Sequence, residues 1–227
     1  MLKVELHTHT AGDPQDAIPY GPVELIDRAS ALGYDAVALT LHDRQLDLRE
    51  FAAHAASRRI TLIPGVERTV DGCHVLLLNF PPSAARVVSF DEIAELKACS
   101  SGLVIAPHLF FPLTHCLRGL MDRHAALIDA VEVSYFHTPL IDFNRAARRW
   151  AQAHDKPLVG SSDVHRLWQL GHTCSLVDSA STPDAICAAI RAGHVEVRSR
   201  PVSLVRIAAL LAAIKAHNFV AGLRPSA

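Results

Sequence analysis

Short apolar runs alternate along this chain with segments of helical period, and that alternation narrows the possible folds more than any other feature. Strands are predicted at 3–6, 35–40, 61–66, 74–78, 103–106, 131–134, 157–160 and 195–198. Helices are predicted at 22–32, 46–58, 91–99, 141–154 and 183–192. Pro22 and Pro183 fall in first turns, where a missing N–H is tolerated. Gly33 and Gly193 follow helices, where a stop residue belongs. Strands that alternate with helices build a parallel sheet from βαβ units. No Gly-rich dinucleotide turn is present, and about seven units are available, so the expected fold is an α/β barrel of (β/α)7 type. One domain over 1–227 is expected, closed by an amphipathic helix at 203–217 with Arg206 and Lys215 on its polar side.

The 227 residues are half hydrophobic, enough to bury a substantial core. A formal net charge of −1 gives no electrostatic case for nucleic acid or an anionic membrane. The five cysteines are scattered, without a CxxC pair, which argues against a disulfide framework and for a reducing compartment. Lys3, Glu5 and His7 interrupt the start, so no signal peptide is expected. The apolar stretch 207–214 is too short to span a bilayer. The expectation is a cytoplasmic protein without a membrane partner.

Fourteen histidines are the unusual count, and their placement is informative. Catalytic groups of a parallel barrel gather where its strands end. His7 and His9 follow the run VEL, and His42 follows AVALTL. Glu67 ends ITLIPGVE and His108 ends LVIAPH. Asp163 and His165 follow PLVGSS. His74 instead begins a run, and reaches the same face if 69–73 forms a tight hairpin turn. Taken singly, each has an ordinary reading as a cap, a loop carboxylate or a polar strand end. Taken together, five separate runs ending in His, Asp or Glu point to metal. Imidazole suits zinc, manganese and iron, and a carboxylate can bridge two ions. Glu67 and Asp163 are the natural bridges. The number of ligands exceeds what one divalent ion uses, so two or three ions are expected.

The motif order HTHT at 7–10, T-L-H at 40–42, PGVE at 64–67 with a following His, APH at 106–108 and SDVH at 162–165 resembles the PHP (polymerase and histidinol phosphatase) family. The resemblance covers residues 7–165, with a weaker tail to about Pro201. It implies a distorted seven-stranded β/α barrel and a metal-dependent phosphoesterase. It also implies that His7, His9, His42, Glu67, His74, His108, Asp163 and His165 bind metal. An Asp from the first loop joins them: Asp16 fits through DAIPY, and Asp13 is the alternative. The second motif of the family reads T-D-H, whereas this chain has Leu41 at the middle position. The acid is therefore missing, and Asp43 could replace it from the other side of His42.

The expected chemistry is attack of a metal-activated water on phosphorus, with Asp163 orienting the water. Arg44, Arg68 and Arg166 each neighbour a ligand and could fork onto phosphate oxygens; the alternative for each is an ion pair. His137, after the run at 131–134, could act on the leaving group. Glu132 either faces outward or supports a ligand. The expected partner is a small phosphorylated substrate, long nucleic acid being disfavoured by the near-neutral charge. An amidohydrolase-like enzyme is the rival, but none of the four lysines ends a mid-chain strand to serve as a carbamate bridge. A non-catalytic metal-bound module is the second rival. The substrate, the ester type and the oligomeric state are not set by the sequence.

Overall fold

The computed structural model describes residues 1–111, 115–138 and 141–203. The helix expected at 203–217 lies outside the described residues but for Ser203. Strands β1 (Leu2–Glu5), β2 (Ala36–Leu39) and β3 (Thr61–Val70) are joined through α1 (Pro22–Ala31) and α2 (Ala52–Ser57). A hairpin leads to β4 (Cys73–Leu78). Then come α3 (Phe90–Ala98), β5 (Leu103–Ala106), α4 (Leu120–Arg123), β6 (Ala130–Ser134), α5 (Asn144–Ala153) and β7 (Leu158–Ser161). The described part ends with β8 (Thr173–Val177), α6 (Pro183–Arg191) and β9 (Val195–Ser199).

These strands form a nine-stranded sheet in the order β7-β6-β5-β4-β3-β2-β1-β8-β9. Only β4 and β8 run against the rest. The sheet curls into a nearly closed barrel. At the seam, Ser175 Oγ on β8 accepts from Gly160 N at 2.9 Å and donates to Gly160 O at 3.0 Å. A Cβ at Gly160 would stand 2.5 Å from Cys174 O, so glycine is what lets the two strands approach. Higher up, His9 N donates to Val164 O and Val164 N to His7 O, both at 3.1 Å. The ends of β1 and β7 are thus paired directly.

β2, β4, β5 and β6 are buried along their whole length, as barrel strands covered by helices must be. Val4, Ala38, Ile63, Ile105, Ala130 and Val159 share an apolar cluster with Ile186 and Ile190 of α6. α6 also reaches the opposite rims of several strands: Asn79 and Ser101 donate to Asp184, and Arg191 donates to Gly102 O at 2.6 Å. It therefore closes the lower end of the barrel and leaves the upper end to polar groups. Among the described residues no helix is long and apolar enough to cross a membrane.

Three local readings are corrected. β8 was not foreseen, because Thr173, Cys174 and Ser175 are buried polar or small residues rather than an apolar run. The helix expected at 46–58 is a 3-10 turn, Leu48–Phe51, followed by the short α2. The helix expected from 141 starts at Asn144, where Asp142 Oδ1 accepts from Asn144 N at 2.9 Å.

Candidate metal centre

The first loop is fixed by two threonines. Thr8 Oγ1 donates to Ala38 O at 2.6 Å, Thr8 N donates to Thr40 Oγ1 at 3.0 Å, and Thr40 N donates to Thr8 O at 2.9 Å. With Thr8 turned toward β2, His7 and His9 on either side of it are fully buried at the upper rim. The β3–β4 turn supplies the next pair. Asp71 and Gly72 take φ of 50° and 77°, the left-handed pair a two-residue hairpin needs. The resulting register sets Thr69 opposite His74 and Glu67 opposite Leu76, so Glu67 and His74 are diagonal neighbours on one face. The tight turn expected for His74 is thus present.

Glu67 stands at the centre. Its Oε2 lies 3.1 Å from His7 Nε2, 3.3 Å from His9 Nε2 and 3.2 Å from His42 Nε2. Its Oε1 lies 2.8 Å from His74 Nδ1 and 3.0 Å from His108 Nε2. Asp163 Oδ1 lies 3.4 Å from His7 Nε2 and 3.3 Å from both His9 Nε2 and His165 Nδ1. Asp16, half exposed at the rim, meets His165 Nε2 at 3.1 Å. All nine residues expected to bind metal therefore converge. Four overlapping groups could each hold an ion: His7, His9, Glu67 and Asp163; His42, Glu67 and His74; His9, His42 and His165; Asp13, Asp16 and His42. The arrangement is that of a polynuclear site. His108 and Asp163 take positive φ, 28° and 44°.

Two buried carboxylates support the imidazoles from behind. Asp13 Oδ2 meets His9 Nδ1 at 2.8 Å, and Asp13 Oδ1 meets His42 Nδ1 at 3.0 Å. Glu132 Oε1 meets His7 Nδ1 at 2.9 Å, and its Oε2 accepts from His108 N at 2.6 Å. Each fixes the ring so that Nε2 faces the cluster. Of the two first-loop acids, Asp16 is the one at the rim, while the Asp13 side chain is covered. Asp13 also supplies the support for His42 that Leu41 cannot give. Asp43 does not, since its carboxylate accepts from Arg68, from Thr69 N at 2.8 Å and from Gln15 Nε2 at 3.0 Å.

The electrostatics fit cations. Burial would push His9 down, yet Asp13, Asp163 and Glu67 hold it up to about 9. Burial likewise opposes charge on His108, but Cys116 and Glu67 hold it up to about 10. His7 and His165 are raised well above the usual range against the same penalty. Burial opposes ionisation of Glu67 and Asp163, and the imidazoles around them, His7 first, hold both well below the usual carboxylate range. Meanwhile Nε2 of His7, His9 and His74 and Oδ1 of Asp163 are buried without a hydrogen bond of sound geometry. Metal bonds of roughly 2.0–2.2 Å place neighbouring ligand atoms about 3–3.5 Å apart. The observed separations match that spacing, so the residues present fit divalent ions.

The arginines divide. Arg68 is engaged by Asp43 and by Val87 O, the latter at 2.6 Å, so it is an ion-pair residue and not a free fork for phosphate. Arg44 and Arg166 are exposed and bond only carbonyls, Gly12 O at 3.0 Å and His165 O at 2.9 Å. His137 is not brought to the cluster: its Nε2 meets Ser199 Oγ at 2.7 Å, because the chain after β6 turns toward β9. His115 escaped notice in the sequence. Its ring stacks on His74 at 4.7 Å and 7°, and no periodicity marks it.

Residues 142–195 match the family model described as PHP-associated. No curated protein sequence matches the chain. Among solved structures, PsfC of Pseudomonas syringae aligns with a TM-score of 0.64 and 14% identity, over 88% of this chain and 93% of PsfC. A Bifidobacterium adolescentis protein, proposed to be a metal-dependent phosphoesterase, aligns with a TM-score of 0.59 and 18% identity, over 89% of this chain and 97% of its own. The lesion-specific endonuclease EndoQ of Pyrococcus furiosus aligns with a TM-score of 0.59 and 18% identity, over 86% of this chain but 57% of EndoQ. The match over residues 142–195 and these alignments agree with the motif order in pointing to a PHP-like barrel, a likeness of fold shared with these proteins.

Proposed function

We propose that the chain is a metal-dependent phosphoesterase acting on a small phosphorylated molecule. The single observation that carries the reading is Glu67, whose two oxygens face separate sets of imidazoles. His7, His9, Asp16, His42, Glu67, His74, His108, Asp163 and His165 would hold two or three divalent ions (zinc, manganese or iron), which when bound would supply Lewis acidity toward phosphoryl oxygens and acidify a water. Asp163 keeps a quarter of its side chain exposed, so its carboxylate can orient the attacking water. Arg44 and Arg166 stand at the rim with guanidinium groups available to phosphate oxygens.

An amidohydrolase reading is less favoured. Lys3 Nζ is held by Leu32 O and Lys97 Nζ by Asp129, so neither offers a carbamate bridge, and Glu67 occupies the bridging place. The net charge of −1 favours a small ester over long nucleic acid. The test is to strip the protein, reload it with manganese, zinc or iron, and screen phosphorylated metabolites alongside generic aryl monoesters and diesters. Metal-dependent release of phosphate or alcohol is expected. Protein that binds two or more ions and cleaves none of these esters would instead be a non-catalytic module.

A further inference from the structure

The loop between His165 and β8 carries a tryptophan whose position the metal site does not explain. Gln169 N donates to Arg166 O at 2.9 Å, closing a turn over Arg166–Gln169. The Gln169 side chain, almost fully buried, locks that turn: Oε1 accepts from His165 N at 2.8 Å and from Arg166 N, while Nε2 donates to the Tyr135 hydroxyl. Trp168 therefore stands on a rigid turn three residues from a metal-site histidine and two from Arg166. Its ring meets Tyr135 edge to face at 6.4 Å and 81°, and His172 at 5.9 Å and 71°. The side chain is nevertheless 36% exposed, and Ile141, in the loop after β6, is 53% exposed.

A lone exposed apolar side chain is ordinary on a protein surface. Trp168 differs in being braced by two other rings, on a turn pinned to the backbone of His165. An aromatic side chain held in this way offers contact area at little conformational cost. Three residues of chain span at most about 10 Å, so the Trp168 backbone lies within that distance of His165, and Tyr135, on which its ring packs, is itself joined through Gln169 to the His165 backbone. We infer that Trp168 is a specificity residue of this site: it receives a planar aromatic group of the substrate while Arg166 and the metal centre take the phosphate. The inference rests on the phosphoesterase reading for the reaction, and on the turn geometry for the ring.

The test uses metal-loaded protein and two phosphonates that cannot be hydrolysed, phenylphosphonate and propylphosphonate, titrated by calorimetry. The wild type should prefer the phenyl compound by several-fold to about tenfold. W168A should lose that preference while binding propylphosphonate as before, and W168F should keep most of it. The same split should appear in KM for 1-naphthyl against propyl phosphate. An aromatic preference that survives in W168A, or binding of neither phosphonate by the wild type, overturns the inference. If no ester is cleaved but the phenyl preference depends on Trp168, catalysis fails and the docking role stands. If esters are cleaved with the same selectivity in W168A, the reverse holds.

Discussion

Replacing Asp13 with asparagine separates support from ligation in this site. Asp13 accepts from five N–H groups: the rings of His9 and His42, and the backbone of Gln15, Asp16 and His42. An amide keeps one oxygen and turns the other into a donor. If the NH2 takes the place of Oδ2, His9 Nδ1 and His42 N face a donor; if it takes the place of Oδ1, Gln15 N and Asp16 N do. Two donors lose their acceptor either way, about 1–3 kcal/mol each where they are buried. Part of that loss appears as a looser first loop and part as misdirected imidazoles. Removal of such a supporting carboxylate typically lowers metal affinity by about 10–100-fold. The assay is competition with a fluorescent chelator, read beside metal content and a thermal melt. D13N should stay folded, hold less metal and bind it at least tenfold more weakly. Wild-type affinity in folded D13N would refute the claim that Asp13 sets the orientation of His9 and His42.

Two other outcomes follow from the same structure. In metal-free protein, His9 and His108 are held up to about 9 and 10, so the stability they contribute is complete below about 6.5 and is lost as pH rises through those values. Burial holds Glu5 up to about 8, which disfavours the folded state in the same direction between pH 4.5 and 8. The metal-free melting temperature should fall by at least about 5 °C between pH 6 and pH 9, with several protons released on metal uptake at pH 7; calorimetry in buffers of different ionisation heat measures them, and no release would contradict the assignment. Gly160→Ala forces a Cβ to within 2.5 Å of Cys174 O and should cost about 1–3 kcal/mol or more in urea denaturation, with metal lost because Asp163 follows three residues later. Gly119→Ala, whose Cβ meets nothing within 4 Å, serves as the neutral control.

Much of the buried cluster was legible because polar side chains that follow barrel strands need only two things the sequence carries, residue type and period. His7, His9, His42, His108, Asp163 and His165 each follow the end of a strand, and strands that form one barrel must deliver their ends to one rim; Glu67 differs, lying inside β3, which runs on to Val70 instead of ending at 66. His74 was legible only on the condition of a tight turn within 69–73; the structure puts that turn at Asp71-Gly72 and so sets the register. The sequence could not choose between Asp13 and Asp16, because both lie in one loop and their roles depend on which way that loop folds. Nor could it place Glu132 or assign Arg68 to Asp43, since those contacts join residues 125 and 25 positions apart. β8 was hidden for a related reason: its polar residues are buried because they bond across the seam, and a hydropathy pattern registers only the polarity. Chemical identity and periodicity are local properties, written one residue at a time. Which oxygen of a carboxylate meets which imidazole is decided by the closing of the barrel, which only the folded chain performs.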